Sequence, residues 1–478
     1  MPRHPLLILF ALFALTLGGP VRAAAAEPPV GELDWQDCAS GAGLRCAELE
    51  VPVDWAEPRG ARTRIGLAQL PAQDPDRRLG SLVVNLGGPG SSIEHLPTTK
   101  EQLRDLTAWY DVIVVDPRGI GASSPVACPP APAFARVLYA VDRRSWQDFA
   151  AENRRWAEDC LEAAGPLAGH LDAGQVARDL DAVRAALGVP TLNYYGNSYG
   201  TVYGQRYADL FPERVGRMFL DSVADHTDPS VLRRAAPMAA IHHDRFQRFR
   251  AWCRASADCA LSGRDPGPVF DALMERAEQE PLPAPSAGPG RTVTADALRL
   301  KALGSIDGEA EWPEFAAALA EAEAGDAGSL WLPPPTQSAG AVENLAFCSD
   351  FPFRDGWPTL TRRIERPLRA IAPHTGWLSA RTWYGRCAGQ PGQGSNPPHP
   401  ITAPGVAPIL LHNGAEDDTT PPAGGRNVAR QLPGAVWFTG AAGHAAYLSG
   451  DRCVRDLAHA YLTTGRLPAA GHRCPADG

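Results

Sequence analysis

A serine set between two glycines, Gly196-Asn197-Ser198-Tyr199-Gly200, joins two segments of different character. Before it, "TLNYYG" reads as a short buried strand. After it, "TVYGQRYADLF" reads as a helix that stops before Pro212. A chain that turns from strand to helix this abruptly needs glycines where the two elements cross. The turn then lifts the serine hydroxyl clear of the sheet. Ser198 would stand at the helix N-terminus, where the dipole favours developing negative charge. The spacing alone is a weak signal in a chain with 47 glycines. The strand before it and the helix after it make it specific, against the simpler reading of a structural serine in a glycine turn.

The same unit recurs along the chain. Leu82 to Leu86 is a β-branched apolar run that ends in "GGPGSS", and Val112 to Val115 is another that ends in "DPRGIG". Val176, Leu180, Val183 and Leu187 lie on one helical face, stopped by Gly188-Val189-Pro190. Gly216 to Val223 reads as a further strand. Buried strands alternating with helices predict a mostly parallel α/β sheet. From Asp225 to about Pro404 no comparable strand occurs. Helical stretches such as "MAAIHHDRFQRFRAWC" alternate there with Pro/Gly-rich joins, which predicts a mostly helical insertion. Strands resume at Pro408 to Leu411 and Val436 to Phe438. The expected division is a leader at residues 1–26, core at 27–222, a helical cap at 223–404 and returning core at 405–478.

The net charge of −9 and the absence of a Lys/Arg block argue against a nucleic-acid partner. Arg3 and His4 precede an apolar run, Leu6 to Leu17, and then small residues up to Ala26. That is the pattern of a secretory leader, shorter than a bilayer span, so a secreted or periplasmic product without a stable membrane anchor is expected. Ten cysteines fit export as disulfides, with pairing of sequence neighbours the simplest arrangement. There is no CxxC pair or HExxH, so neither a metal nor another cofactor is expected.

A serine hydroxyl attacks only when a base takes its proton, and the base needs an acid to orient it. In strand–turn–helix serine enzymes the order along the chain is serine, acid, histidine. "ILLHNGAEDDTTP" offers Glu416, Asp417 and Asp418, of which Asp417 is the choice. "FTGAAGHAAY" offers His444 among small residues, whereas His412 lies in or beside a strand and reads as structural. The oxyanion would be met by the N–H of Tyr199 and by that of Gly88 or Gly87, with Gly88 favoured, since Pro89 has no N–H. Asp116, Arg118, Gly119 and Gly121 read as braces of the neighbouring loop. His242-His243-Asp244 reads as a helical face rather than a metal site.

Taken in order, "NLGGPGSS", "DPRGIGASS", "GNSYGT", "LDSVAD", "EDDTTP" and "GAAGHAAY" resemble the exported bacterial α/β-hydrolases of the tripeptidyl aminopeptidase type, related to proline iminopeptidases. The resemblance runs from about Trp35 to Cys474. It implies the α/β-hydrolase fold and an exopeptidase acting on peptides with a free N-terminus. Such an enzyme releases tripeptides or single residues through a Ser198–Asp417–His444 triad and an acyl-enzyme. Asp417 aligns with the family's Asp-x-x-Thr-Pro pattern. Leu86 stands where proline iminopeptidases carry histidine, which places the chain nearer the tripeptidyl branch. A substrate ammonium needs carboxylate partners, because an unpaired buried charge is costly. Glu343, Asp350 and Asp225 are the candidates. The alternative is a secreted carboxylesterase or lipase on the same core, told apart by whether a free amine is required. A non-catalytic binding protein is a third reading, told apart by Ser198→Ala.

Overall fold

The computed structural model describes residues 33–475, apart from residues 40, 42, 133, 262, 334–340 and 442. The leader expected at residues 1–26 lies outside the described residues. Among those described, no helix is long and apolar enough to cross a membrane.

The chain begins with β1 (Gln36–Asp37), β2 (Arg45–Pro52) and β3 (Arg62–Leu70), which pair antiparallel. β4 (Gly80–Asn85), α1 (Ser92–Leu103) and β5 (Tyr110–Val115) follow. α2 (Arg143–Ala164) and α3 (Ala173–Ala186) lead to β6 (Leu192–Asn197), α4 (Gly200–Leu210) and β7 (Val215–Asp221). The sequence reading recovered β4 and β5 because each is a short apolar run closed by a glycine or proline turn, and β6 and β7 also lie where it expects strands.

After β7 the chain forms α5 (Val231–Ala255), α6 (Pro266–Gln279) and a small hairpin of β8 (Leu282–Pro283) and β9 (Thr292–Val293). It continues through α7 (Ala295–Ser305), α8 (Trp312–Glu323), α9 (Ala341–Asp350), α10 (Trp357–Thr359), α11 (Arg366–Ile371) and α12 (Leu378–Gly385). The sheet resumes with β10 (Leu410–Gly414), α13 (Pro422–Ala429) and β11 (Val436–Gly440), and α14 (Ala446–Ser449) and α15 (Arg452–Thr464) follow.

The nine-stranded sheet runs β1-β2-β3-β5-β4-β6-β7-β10-β11, parallel from β5 to β11. The order reverses at β4, which has β5 on one side and β6 on the other. In open α/β sheets the crevice beyond such a reversal, at the strands' carboxyl ends, is where ligands bind. One face of the sheet packs Val176, Leu180 and Val183 of α3 with Val202, Tyr203 and Tyr207 of α4. The other packs Leu96 and Leu103 of α1 with Val454, Ala458 and Tyr461 of α15. Phe246 and Phe249 of α5 share a separate core with Phe270, Leu273, Phe315 and Leu319. Asn153 of α2 donates to the carbonyls of Arg386 and Ala388 just beyond α12, both at 2.8 Å. The sulfurs pair as sequence neighbours: Cys38–Cys46, Cys128–Cys160, Cys253–Cys259, Cys348–Cys387 and Cys453–Cys474.

The expected braces lie under the β4 and β5 loops. Asp116 is buried and accepts Ser91 Oγ at 2.7 Å, Ile93 N at 2.9 Å and Ala122 N at 2.9 Å. Arg118, also buried, forms a fork with Asp179 at 2.8 and 2.5 Å and donates to the Pro52 carbonyl at 3.2 Å. Removing one partner of a buried ion pair strands the other. Arg118→Ala is therefore expected to cost roughly 3–5 kcal/mol, read as a lower denaturation midpoint. A midpoint equal to the wild type would rule out that role.

Candidate active site

Ser198 directly follows β6 with φ at +52°, the left-handed conformation of a strained elbow. Its N–H donates to the Asp221 carbonyl at 2.9 Å, and its own carbonyl accepts Thr201 N at 2.9 Å and Thr201 Oγ1 at 2.6 Å. The glycines on either side are required by close approach. A Cβ on Gly196 would meet the Gly200 carbonyl oxygen at 2.6 Å, and one on Gly200 the Asn85 carbonyl oxygen at 2.6 Å.

The loop after β4 is tied to this elbow. Asn197 Nδ2 donates to the Leu86 carbonyl at 3.1 Å, and Leu86 N donates to Ser92 Oγ at 2.9 Å. Gly87 N is committed to Asn85 Oδ1 at 3.0 Å. Gly88 and Tyr199 have no hydrogen bond on their N–H groups among the described residues. Both line the same cavity as Ser198. Of the two glycines left open by the sequence, Gly88 is the one with a free donor.

His444 follows β11. Its Nδ1 donates to Asp417 at 2.9 Å to Oδ2 and 3.1 Å to Oδ1. Asp417 is fully buried, and its carboxylate also accepts Thr419 N at 3.0 Å, Thr420 N at 2.8 Å and Thr420 Oγ1 at 2.7 Å. Burial alone would lower the His444 pKa. The Asp417 hydrogen bond and the charges of Asp417, Asp221 and Asp418 outweigh it, so the imidazole stands above its ordinary value. Among the described residues no hydrogen bond joins His444 Nε2 to Ser198 Oγ, a contact that often tightens only with substrate bound.

The three adjacent acids have three different partners. Glu416 takes a fork from Arg248 of α5 at 2.9 and 2.6 Å, which holds it below the usual carboxylate range. Asp418 lies 2.6 Å from His242 Nε2 and 3.1 Å from Arg245. Burial would raise the Asp418 pKa, but His242 and Arg245 reverse the shift. Asp417 alone turns inward to His444. His242, Arg245 and Arg248 are legible in the sequence as one helical face. Their partners lie some 170 positions away, and nothing local announces them. No metal reading of His242 is needed, since its ring is engaged by Asp418.

His412 is buried beside Asp221, Nδ1 to Oδ1 at 2.7 Å, because the β7–β10 register places the two residues opposite each other. The other Asp221 oxygen accepts Tyr447 N at 3.0 Å, and Ser222 Oγ accepts Ala445 N at 2.7 Å. The end of β7 therefore holds both the Ser198 elbow and the loop that carries His444.

A cavity of about 710 Å³ opens over Ser198. Phe347, Phe351, Trp383 and Tyr384 line it, together with Asp225, Gly424 and Asn427. Asp225 Oδ1 accepts Thr227 N at 2.8 Å and Thr227 Oγ1 at 2.6 Å, and Oδ2 accepts Asn427 Nδ2 at 2.9 Å. Of the three acids expected to meet a substrate ammonium, Asp225 is the one in the cavity wall. Glu343 is not among the wall residues. Its Oε2 is buried without a hydrogen-bond partner among the described residues, and burial, reinforced by Glu94, raises its pKa.

Asp350 is a correction. It is fully buried beneath the cavity, with its oxygens engaged by Ala173 N at 3.0 and 3.1 Å, Asn396 Nδ2 at 2.6 Å and Tyr199 Oη at 2.6 Å. Burial, with the charge of Asp172 nearby, pushes its pKa up to about 7. A carboxylate so enclosed does not present itself to a ligand.

An elbow serine beyond a parallel strand, with an acid-held histidine after the last strand, defines the class. A model of the α/β-hydrolase fold family matches residues 80–451. The chain belongs to that family. A tripeptidyl aminopeptidase of Streptomyces lividans is 30% identical over 485 aligned residues, covering 94% of this chain and 88% of its own length. The serine protease Hip1 of Mycobacterium bovis is 30% identical, covering 97% of this chain and 96% of its own. A carboxylesterase B of Mycobacterium tuberculosis is 27% identical, covering 99% and 98%.

Proposed function

We propose that the protein is an exported serine exopeptidase that releases tripeptides or single residues from free peptide N-termini. Ser198 Oγ attacks the scissile carbonyl while His444 Nε2 takes its proton, and Asp417 stabilises the imidazolium. The tetrahedral oxyanion is met by the N–H groups of Tyr199 and Gly88. The bond to the leaving amine breaks as His444 returns the proton. Water, activated by the same imidazole, then cleaves the acyl-enzyme. Asp225 receives the substrate ammonium. The observation that carries this reading is a single cavity whose lining residues include Ser198, Tyr199, Gly88 and Asp225. The peptidase names of the relatives at 30% identity support it. Export is supported by five disulfides, which persist in oxidising compartments. The proposed domain limits remain those of the sequence reading, with residues 223–404 as the cap.

The relative named as a carboxylesterase keeps an esterase reading in view. Hydrolysis of a matched pair of peptide amides, one with a free and one with an acetylated N-terminus, separates the two. Cleavage of the free-amine peptide alone is expected, and Asp225→Asn should raise KM for that peptide. If neither peptide is cut while a short acyl ester is, the peptidase assignment fails.

A further inference from the structure

The aspartate removed from the substrate site has a definite structural relation to the chemistry. Tyr199 directly follows Ser198 and lines the same cavity, with no hydrogen bond on its main-chain N–H among the described residues. The ring is buried against Tyr203, Phe347 and Phe351, at centroid distances of 5.4, 6.0 and 6.0 Å. Its hydroxyl donates to Asp350 Oδ2 at 2.6 Å. Asp350 is the last residue of α9, in the helical stretch between β7 and β10 and not in the sheet. It is anchored independently of Tyr199. Its carboxylate accepts the Ala173 N–H at the start of α3, Asn396 Nδ2 donates to it, and its carbonyl faces His226 Nε2 at 3.1 Å. The disulfide Cys348–Cys387 ties the same helix to the segment after α12.

We propose that Asp350 is a positioning residue that acts through the Tyr199 hydroxyl to fix the Tyr199 N–H at the oxyanion site. α9 would then be a third support of the elbow, beside β6 and the Asp221 carbonyl. Tyr199 is held at both ends: its main chain by the strained turn at Ser198, and its side chain by an acid fixed to a different element. An oxyanion donor is effective only where the charge develops, so small displacements are expensive. A shift of about 1 Å costs on the order of 10²-fold in rate. This inference rests on the serine-hydrolase reading above.

Three variants test it: Tyr199→Phe, Asp350→Asn and the two combined. Each is assayed on the free-amine peptide and on a short acyl ester, with thermal unfolding recorded in parallel. Tyr199→Phe keeps the N–H and removes only the hydroxyl. It is expected to lower kcat about 10²-fold with KM unchanged. Asp350→Asn should do the same, and the double variant should be no slower than the slower single, because both act through one contact. Wild-type kcat in Tyr199→Phe overturns the proposal, even if Asp350→Asn does not fold. Multiplying effects in the double variant also overturn it. If only the ester is hydrolysed, the peptidase reading fails while the coupling is still read on the ester.

Discussion

Ser198→Ala is expected to lower kcat/KM by on the order of 10⁵- to 10⁶-fold and to leave the fold intact. The size follows from the mechanism, since without Oγ no acyl-enzyme forms and only binding and the oxyanion donors remain. The fold should persist because Ser198 Oγ makes no hydrogen bond to the described residues. What holds the elbow is main chain: Ser198 N to the Asp221 carbonyl, and Thr201 to the Ser198 carbonyl. Peptide hydrolysis at matched concentrations and the unfolding temperature together check both halves. A residual rate above about 1% would place the nucleophile elsewhere, because triad removal leaves far less than that.

Asp417→Asn is expected to lower kcat/KM by roughly 10³- to 10⁴-fold, whereas Asp418→Asn should have a much smaller effect. Asparagine at position 417 would present an amide N–H to some of the donors that converge there. His444 Nδ1 would then no longer be held in the tautomer that frees Nε2 as the base. The pH profile carries the same information with a definite sign. Asp417 helps hold the His444 pKa above its ordinary value, so base activity is lost as pH falls through that raised value. In the wild type the acid limb of kcat/KM should therefore lie above about pH 6.5. Asp417→Asn removes a raising influence, so its limb should move to lower pH while the plateau falls. Asp418 touches α5 through His242 and Arg245, so its loss should loosen that junction first. Equal losses in the two variants would contradict the division of labour between the acids.

Much of the sheet was legible because buried parallel strands are short, apolar and closed by glycine or proline. Leu82–Leu86 and Val112–Val115 met that pattern, and β4 and β5 are where it predicts. The β10 strand was expected at Pro408 to Leu411 but runs Leu410–Gly414, since polar His412 and Asn413 hide its end. His412 is inside because Asp221 pairs with it, and only the strand register brings the two together.

The elbow and the order of serine, acid and histidine are properties of the chain read locally. They depend on periodicity, on turn chemistry and on which residue types can do acyl transfer. Which of three consecutive acids faces the histidine is settled by what α5 brings against the other two. Which glycine keeps a free N–H is settled by Asn85 taking the other. Asp350 passed as a substrate ligand in the sequence because a carboxylate shows its residue type there and not its depth. Burial and long-range hydrogen bonding are set by contacts between segments far apart in the chain, and only the folded structure decides them.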